Sequence, residues 1–451
     1  MTHRPRGQWS SQFGFVMAAA GSAVGLANIW AFPYRAGQNG GAAFVLVYLL
    51  CICMICLPFM FAEITLGRYG QKNVIGTIRS VTPQKGWLGL GVLSLAAGFF
   101  ILSFYSVVAG WAVGFIFKTL LKNSATFPEF AAQPALVIPL FALFLAMTIF
   151  VVYGGVRNGI ERWSKLLMPI LVILMIALII RGVTLDGANE GLSFYLNPDF
   201  SKINSKSIMS AMGQAFFSLS LGIGGILTYG SYLSKRENII RSSVYIAMFD
   251  LLIAFLAGLM IFPALFAFNQ MPNEGPALIF IVLPGIFEQL PFSFIVGPVF
   301  FMMITIAALT SSISMLEIPV AYFVDEKGWS RKKIVWLIGA FVFLLGLPSA
   351  LSQGAVPALT KLSFFNDKSY LELMIFLWFD VFPPLGAILF CILIGWVWGL
   401  DKAVAELNMG AECLGKNFVG LPVSNAKVWG FAIRFMCPGA ITLVWFNAIF
   451  N

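Results

Sequence analysis

Nine stretches of this chain, each twenty residues or longer, contain no Asp, Glu, Lys or Arg: 7–34, 36–62, 86–117, 130–156, 207–234, 251–273, 289–316, 334–360 and 381–400. About 20 apolar residues in a helix cross the roughly 30 Å of a bilayer's hydrocarbon, so each stretch is long enough to span. Two shorter windows, 166–180 and 435–451, bring the total to about eleven. The first crosses only by drawing in the polar residues 157–165, and the second only by accepting Arg434 near one end. Charged residues make up 10% of the chain, against roughly a quarter in globular domains. That is too little polar surface to enclose a soluble core. The fold class predicted is therefore an all-α integral membrane protein, with the lipid bilayer as its first partner. Disordered, collagenous and nucleic-acid-binding classes are excluded.

The net charge of +9 is read as orientation rather than affinity for polyanions. An N-terminus on the cytoplasmic side places 19 of the 28 Lys and Arg in cytoplasmic segments and seven outside, with Arg35 and Arg434 at or within spans. Eleven crossings then put the C-terminus outside, and the first apolar run reads as a span rather than a cleaved signal. The membrane expected is the cell's inner (plasma) membrane. Residues 274–288 are apolar, proline-bearing and too short to span, which suggests an external lid hairpin. The six cysteines show no pairing pattern for a disulfide framework. His3 is the sole histidine, so a His-based metal centre or catalytic pair within the spans has nothing to draw on and no enzyme is expected.

Two spans are poor helices at their midpoints. The first contains Ala20-Gly21-Ser22-Ala23-Val24-Gly25-Leu26-Ala27-Asn28, and the sixth contains Ser218-Leu219-Ser220-Leu221-Gly222-Ile223-Gly224-Gly225. Their separation by five spans is the trace of two inverted five-helix repeats whose first helices break around a central ligand. This divides the chain into 1–182, 183–400 and a connector with helix 11 at 401–451. Gly21 and Gly25 also form a GxxxG pair, which serves close helix packing equally well. Half-helix N-termini hold anions and freed carbonyls hold cations, so a zwitterion such as an amino acid suits the break. Sodium, a hard cation, suits the carbonyl, amide and hydroxyl oxygens nearby.

The run from Ala23 through Trp30 to Tyr34, followed by Asn39-Gly40-Gly41-Ala42-Ala43-Phe44, resembles the first-span signature of the neurotransmitter:sodium symporters. Similar matches occur at Glu63 to Tyr69, Gln214 to Tyr232 and Ala308 to Ile313. The bacterial, sodium-coupled members that carry several hydrophobic amino acids resemble it most, and some of these also stop at eleven spans. The resemblance implies alternating access and two sodium sites. One would use Asn28, Ser218, Asp250, the Ala23 carbonyl and the substrate carboxylate. The second would use the carbonyls of Gly21, Val24 and Ala307 with the hydroxyls of Thr310 and Ser311.

By the same resemblance the substrate carboxylate would meet the amides of Gly25 and Leu26 and the Tyr105 hydroxyl. Its ammonium would meet carbonyls near Ala23, Phe217 and Ser220. The side-chain pocket would be lined by Ile101, Tyr105, Phe217, Ile223, Ser311 and Met315. Such a wall admits Leu, Phe, Trp, Tyr, Val, Ile or Met and leaves a charged side chain unpaired at several kcal/mol. Asp250 stands in place of a bound chloride, so no chloride requirement is expected; a purely structural acid is the plainer alternative. Arg6, Trp9, Ser231, Tyr232 and Asp325 match an inner latch, and Gly159 with Pro169 match a turn able to unwind, though a simple proline kink reads the same way. At the outer gate the family's Arg is replaced by Ala31, and Ile375 stands where an Asp is expected. Either the gate closes on Tyr105 and Phe217 alone or Ala31 is an engineered replacement. A proton-coupled carrier of the same fold, and more remotely a channel, are the rival readings.

Overall fold

The computed structural model describes residues 7–270, 278–290, 292–411 and 424–450, and within them the chain is almost entirely helical. Among the described residues, nine helices are long and apolar enough to cross a membrane: Ala42–Gly70, Lys85–Leu120, Pro134–Tyr153, Val156–Val183, Ile239–Ala267, Ser293–Lys327, Arg331–Leu351, Tyr370–Asn408 and Asn425–Phe450. A tenth crossing is the pair Gln12–Ala23 and Ala27–Gln38, bent by 56°. The eleventh is made of two pieces, Ser205–Ser218 and Gly225–Gly230, each too short to span alone. In chain order the two interrupted elements stand first and sixth.

The compromised fifth span crosses as expected, by taking residues 157–165 into a helix that runs from Val156 to Val183. Its first turn is a π-helix, Val156–Glu161, entered through Gly155 at φ 81°. Five further π-turns interrupt the first, second, tenth and eleventh spans. Of the expected lid, Val282–Gln289 is a helix and residues 274–277 lie outside the described residues.

Because both partners of a helix pair in lipid are apolar, packing rests on close approach and interhelical hydrogen bonds rather than on hydrophobicity. The eighth span runs along the third, and the first lies against the seventh and eighth. Polar side chains sit where these helices meet: Ser22 donates to Ser314 at 2.6 Å, and the Thr148 and Ser312 hydroxyls are 2.8 Å apart. Large apolar side chains such as Leu50, Phe150, Ile173 and Leu344 face outward, as an acyl-chain environment requires.

Candidate substrate and ion site

The first helix ends at Ala23, Val24 turns extended at ψ 104°, and helical geometry resumes at Ala27. The second break runs from Leu219 to Gly224, with Ser220, Gly222 and Gly224 at φ 52°, 82° and 82°. The two gaps touch, since the Ser220 hydroxyl donates to the Ser22 carbonyl at 3.0 Å. Side chains from the first, second and third spans take up part of the released backbone. Tyr105 Oη accepts the Leu26 N–H at 3.3 Å, Asn28 Oδ1 accepts that of Gly25 at 3.2 Å, and Glu63 Oε1 accepts that of Gly222 at 3.3 Å. Gly25 is needed for room as well as for weakness: a Cβ there would lie 2.6 Å from Ser311 Oγ and 3.0 Å from Tyr105 Oη.

Two oxygen-rich clusters flank the first break. In one, Asn28 Nδ2 donates to Asp250 Oδ1 at 2.8 Å and to Ser218 Oγ at 2.9 Å, and Ser218 Oγ lies 2.8 and 2.9 Å from the two Asp250 oxygens. All three side chains are buried. In the other, Ser311 Oγ lies 3.4, 3.2 and 3.1 Å from the carbonyls of Gly21, Ser22 and Val24. Thr310 Oγ1 reaches the Ala307 carbonyl at 3.0 Å. The structure thus brings together Asn28, Ser218 and Asp250 of the first set, and in the second Ser311 with the Gly21 and Val24 carbonyls and Thr310 with that of Ala307. Their donors are oxygens alone, the chemistry of hard cations rather than of transition metals.

Beside the clusters, Ile101, Tyr105, Ile223, Ser311 and Met315 are buried and Phe217 is half-buried. Sequence reasoning missed Phe379, whose ring meets Phe217 edge-on at 4.4 Å and Phe104 at 5.1 Å. It also missed Tyr48, which donates to Asp250 Oδ2 at 3.1 Å. The readable signals were a lone hydroxyl in an apolar second span and an aromatic run just ahead of Asp380.

At the end of the bundle that carries the N-terminus, Trp9 Nε1 donates to the Tyr229 carbonyl at 3.0 Å, and its ring packs edge-on to Tyr229 and Tyr232. Tyr232 donates to Glu317 at 2.6 Å, and Glu317 pairs with Arg331. Ser231 donates to the Thr228 carbonyl at 2.5 Å and Asp325 accepts the Asn73 N–H at 2.9 Å. Arg6 lies outside the described residues. Gly159 and Pro169 sit in a wound segment, the first in the π-turn and the second inside the helix Arg162–Val183.

At the opposite end Ala31 closes one π-turn and Ile375 precedes another. Asp380 lies within the π-turn Phe376–Val381, and Arg35, one turn beyond Ala31, lies in the helix Phe32–Gln38. Arg35 Nη1 reaches the Ser210 carbonyl at 3.5 Å.

Residues 6–126 and 132–443 match the profile of the sodium:neurotransmitter symporter family. The chain is 41% identical to the sodium-dependent transporter YhdH of Bacillus subtilis, over 98% of this chain and 97% of the relative. To the sodium-dependent serotonin transporter of Drosophila melanogaster it is 29% identical, over 90% of this chain and 72% of that one. The structure resembles the crystal structure of MhsT in complex with L-phenylalanine with a TM-score of 0.86, at 42% identity, covering 99% of this chain and 100% of the other. The broken-helix site, the apolar spans and these likenesses together place the chain in the sodium:neurotransmitter symporter family, as a multi-pass membrane protein that couples sodium to the movement of amino-acid-like substrates.

Proposed function

We propose that the protein is a symporter that imports hydrophobic and aromatic L-amino acids with sodium by alternating access. The observation that carries this reading is the junction of the two helix gaps, Ser220 on Ser22, set between two oxygen clusters and a wall of Ile101, Tyr105, Phe217, Ile223 and Met315. The Gly25 and Leu26 amides and Tyr105 would take the substrate carboxylate. Carbonyls at Ala23, Phe217 and Ser220 would take its ammonium. The wall offers no charge to a polar side chain, so the specificity is for apolar ones. That MhsT was crystallised with L-phenylalanine supports the same class.

Sodium travels as cargo. Asn28, Ser218, Asp250, the Ala23 carbonyl and the substrate carboxylate would hold one ion, and Gly21, Val24, Ala307, Thr310 and Ser311 a second. Because substrate and first ion share a contact, each tightens the other's binding by the same factor. The Asp250 carboxylate supplies the fixed negative charge that makes chloride dispensable. Trp9, Tyr232 and Asp325 close the cytoplasmic side, unwinding between Gly159 and Pro169 opens a water path, and Arg35 with Asp380 latches the outside. The expected setting is the plasma membrane, with the N-terminus in the cytoplasm and the C-terminus outside.

Uptake of radiolabelled tryptophan, phenylalanine and leucine into proteoliposomes tests the reading. Sodium-driven accumulation is expected, and loss of uptake when choline replaces sodium at constant pH. Uptake that follows a proton gradient without sodium would establish the proton-coupled alternative.

A further inference from the structure

At the cytoplasmic end of the fifth span, Ser10, Arg157, Asn158, Glu161, Arg162, Lys165 and Leu166 line an open cavity of about 410 Å³. Its one carboxylate is already engaged: buried Glu161 accepts the Ser10 N–H at 2.8 Å, pairs with Lys165 at 2.5 Å and also takes the Ser10 hydroxyl. Arg157 and Arg162 are exposed and make no ion pair among the described residues. The cavity is therefore positive and has unused donors.

The π-turn explains why two arginines five apart share it. Five residues of α-helix rotate a side chain by about 500°, leaving the pair on different faces, whereas an i→i+5 turn brings them nearly into line. Val156–Glu161 is such a turn. From Arg162 the outward face continues with Leu166, Ile173 and Ile180, exposed by 52%, 63% and 59%. Charge at headgroup depth followed by a bare apolar stripe is the profile of a phospholipid, which a free anion does not need.

We propose that this cavity binds the headgroup of an anionic phospholipid, its phosphate bridging Arg157 and Arg162 and one acyl chain lying along Leu166 and Ile173. The bridge exists only while the π-turn is wound, because unwinding carries the two arginines apart. Bound lipid therefore favours the wound form of the segment between Gly159 and Pro169. Lipid binding stands independently of the transport reading; only its consequence for inward opening rests on that reading.

The test compares protein purified into nanodiscs of phosphatidylcholine with and without phosphatidylglycerol. Native mass spectrometry would count retained phosphatidylglycerol, and hydrogen exchange would follow residues 156–165. Wild-type protein is expected to retain the anionic lipid and to protect this segment when it is present. R157Q/R162Q should bind it about fivefold more weakly for each charge removed. R157K/R162K, which keeps both charges, should stay closer to wild type, and R181Q, at the other end of the same helix, should match it. Equal retention by wild type and R157Q/R162Q would overturn the proposal, as would equal protection by inorganic phosphate in detergent, which would mark a site for free anions. Loss of sodium-driven uptake with lipid retention intact would instead strike the transport reading alone.

Discussion

Phe217 and Phe379 meet edge to face with ring centroids 4.4 Å apart, one ring from the broken sixth helix and the other from a π-turn of the tenth span. The contact joins a helix that borders the pocket to one that lies outside both gaps. Phe217→Ala removes this contact together with part of the pocket wall. Tryptophan and leucine affinity is expected to fall by about 1–3 kcal/mol, while alanine binding changes less. Equal losses for large and small substrates in equilibrium binding would take Phe217 out of the pocket.

Asn28→Ala leaves Asp250 and Ser218 without the amide that now links them. Sodium-dependent amino-acid binding is expected to fall by more than tenfold, since a hydrogen bond to a charged group is worth about 1.5–3 kcal/mol. A sodium titration of tryptophan binding reads this out directly, and an unchanged midpoint would remove the first ion site.

Asp250→Asn keeps the shape of the cluster and deletes its negative charge. Transport is expected to slow in chloride-free medium and to recover as chloride is added, because a mobile anion then supplies what the carboxylate did. Indifference to chloride with normal rates would leave Asp250 a structural residue.

Gly25→Ala places a methyl group 2.6 Å from Ser311 Oγ and 3.0 Å from Tyr105 Oη. Overpacking of this kind costs about 1–3 kcal/mol, and here it falls on the binding geometry. Substrate affinity in equilibrium binding is expected to drop at least tenfold, and affinity equal to wild type would mean that the site yields to the methyl group.

Arg35 lies in the helix Phe32–Gln38 of the first span and Asp380 in the π-turn Phe376–Val381 of the tenth; the outer latch proposed above couples them. Arg35→Gln and Asp380→Asn should each speed substrate release, and the double variant should cost less than the sum, with a coupling energy of about 0.5–3 kcal/mol. Strict additivity in dissociation rates would mean that the two side chains act separately.

How much of this could be read beforehand follows from which forces act locally. Charge-free windows located the spans because desolvation forbids stray charges in hydrocarbon, and the glycine-serine runs at 20–28 and 218–225 located both breaks because those residues hold helix poorly. The ends of the bundle were less legible. Asp380 and Arg35 stand five and four residues past Ile375 and Ala31, where the family spacing did not point. Phe379 and Tyr48 escaped notice because their significance lies in neighbours more than 150 residues away, which no period in the chain records.

Ser220 holds φ at 52°, a region where glycine is at ease and other residues sit at a cost of about 1 kcal/mol or more. Its neighbours Gly222 and Gly224 avoid that cost; Ser220 accepts it and gains a grip on Ser22. Losing the grip would also free the backbone to relax, so the clasp is partly spring-loaded. A serine at such a position makes the junction of the two gaps cheaper to break than its hydrogen bond alone would suggest.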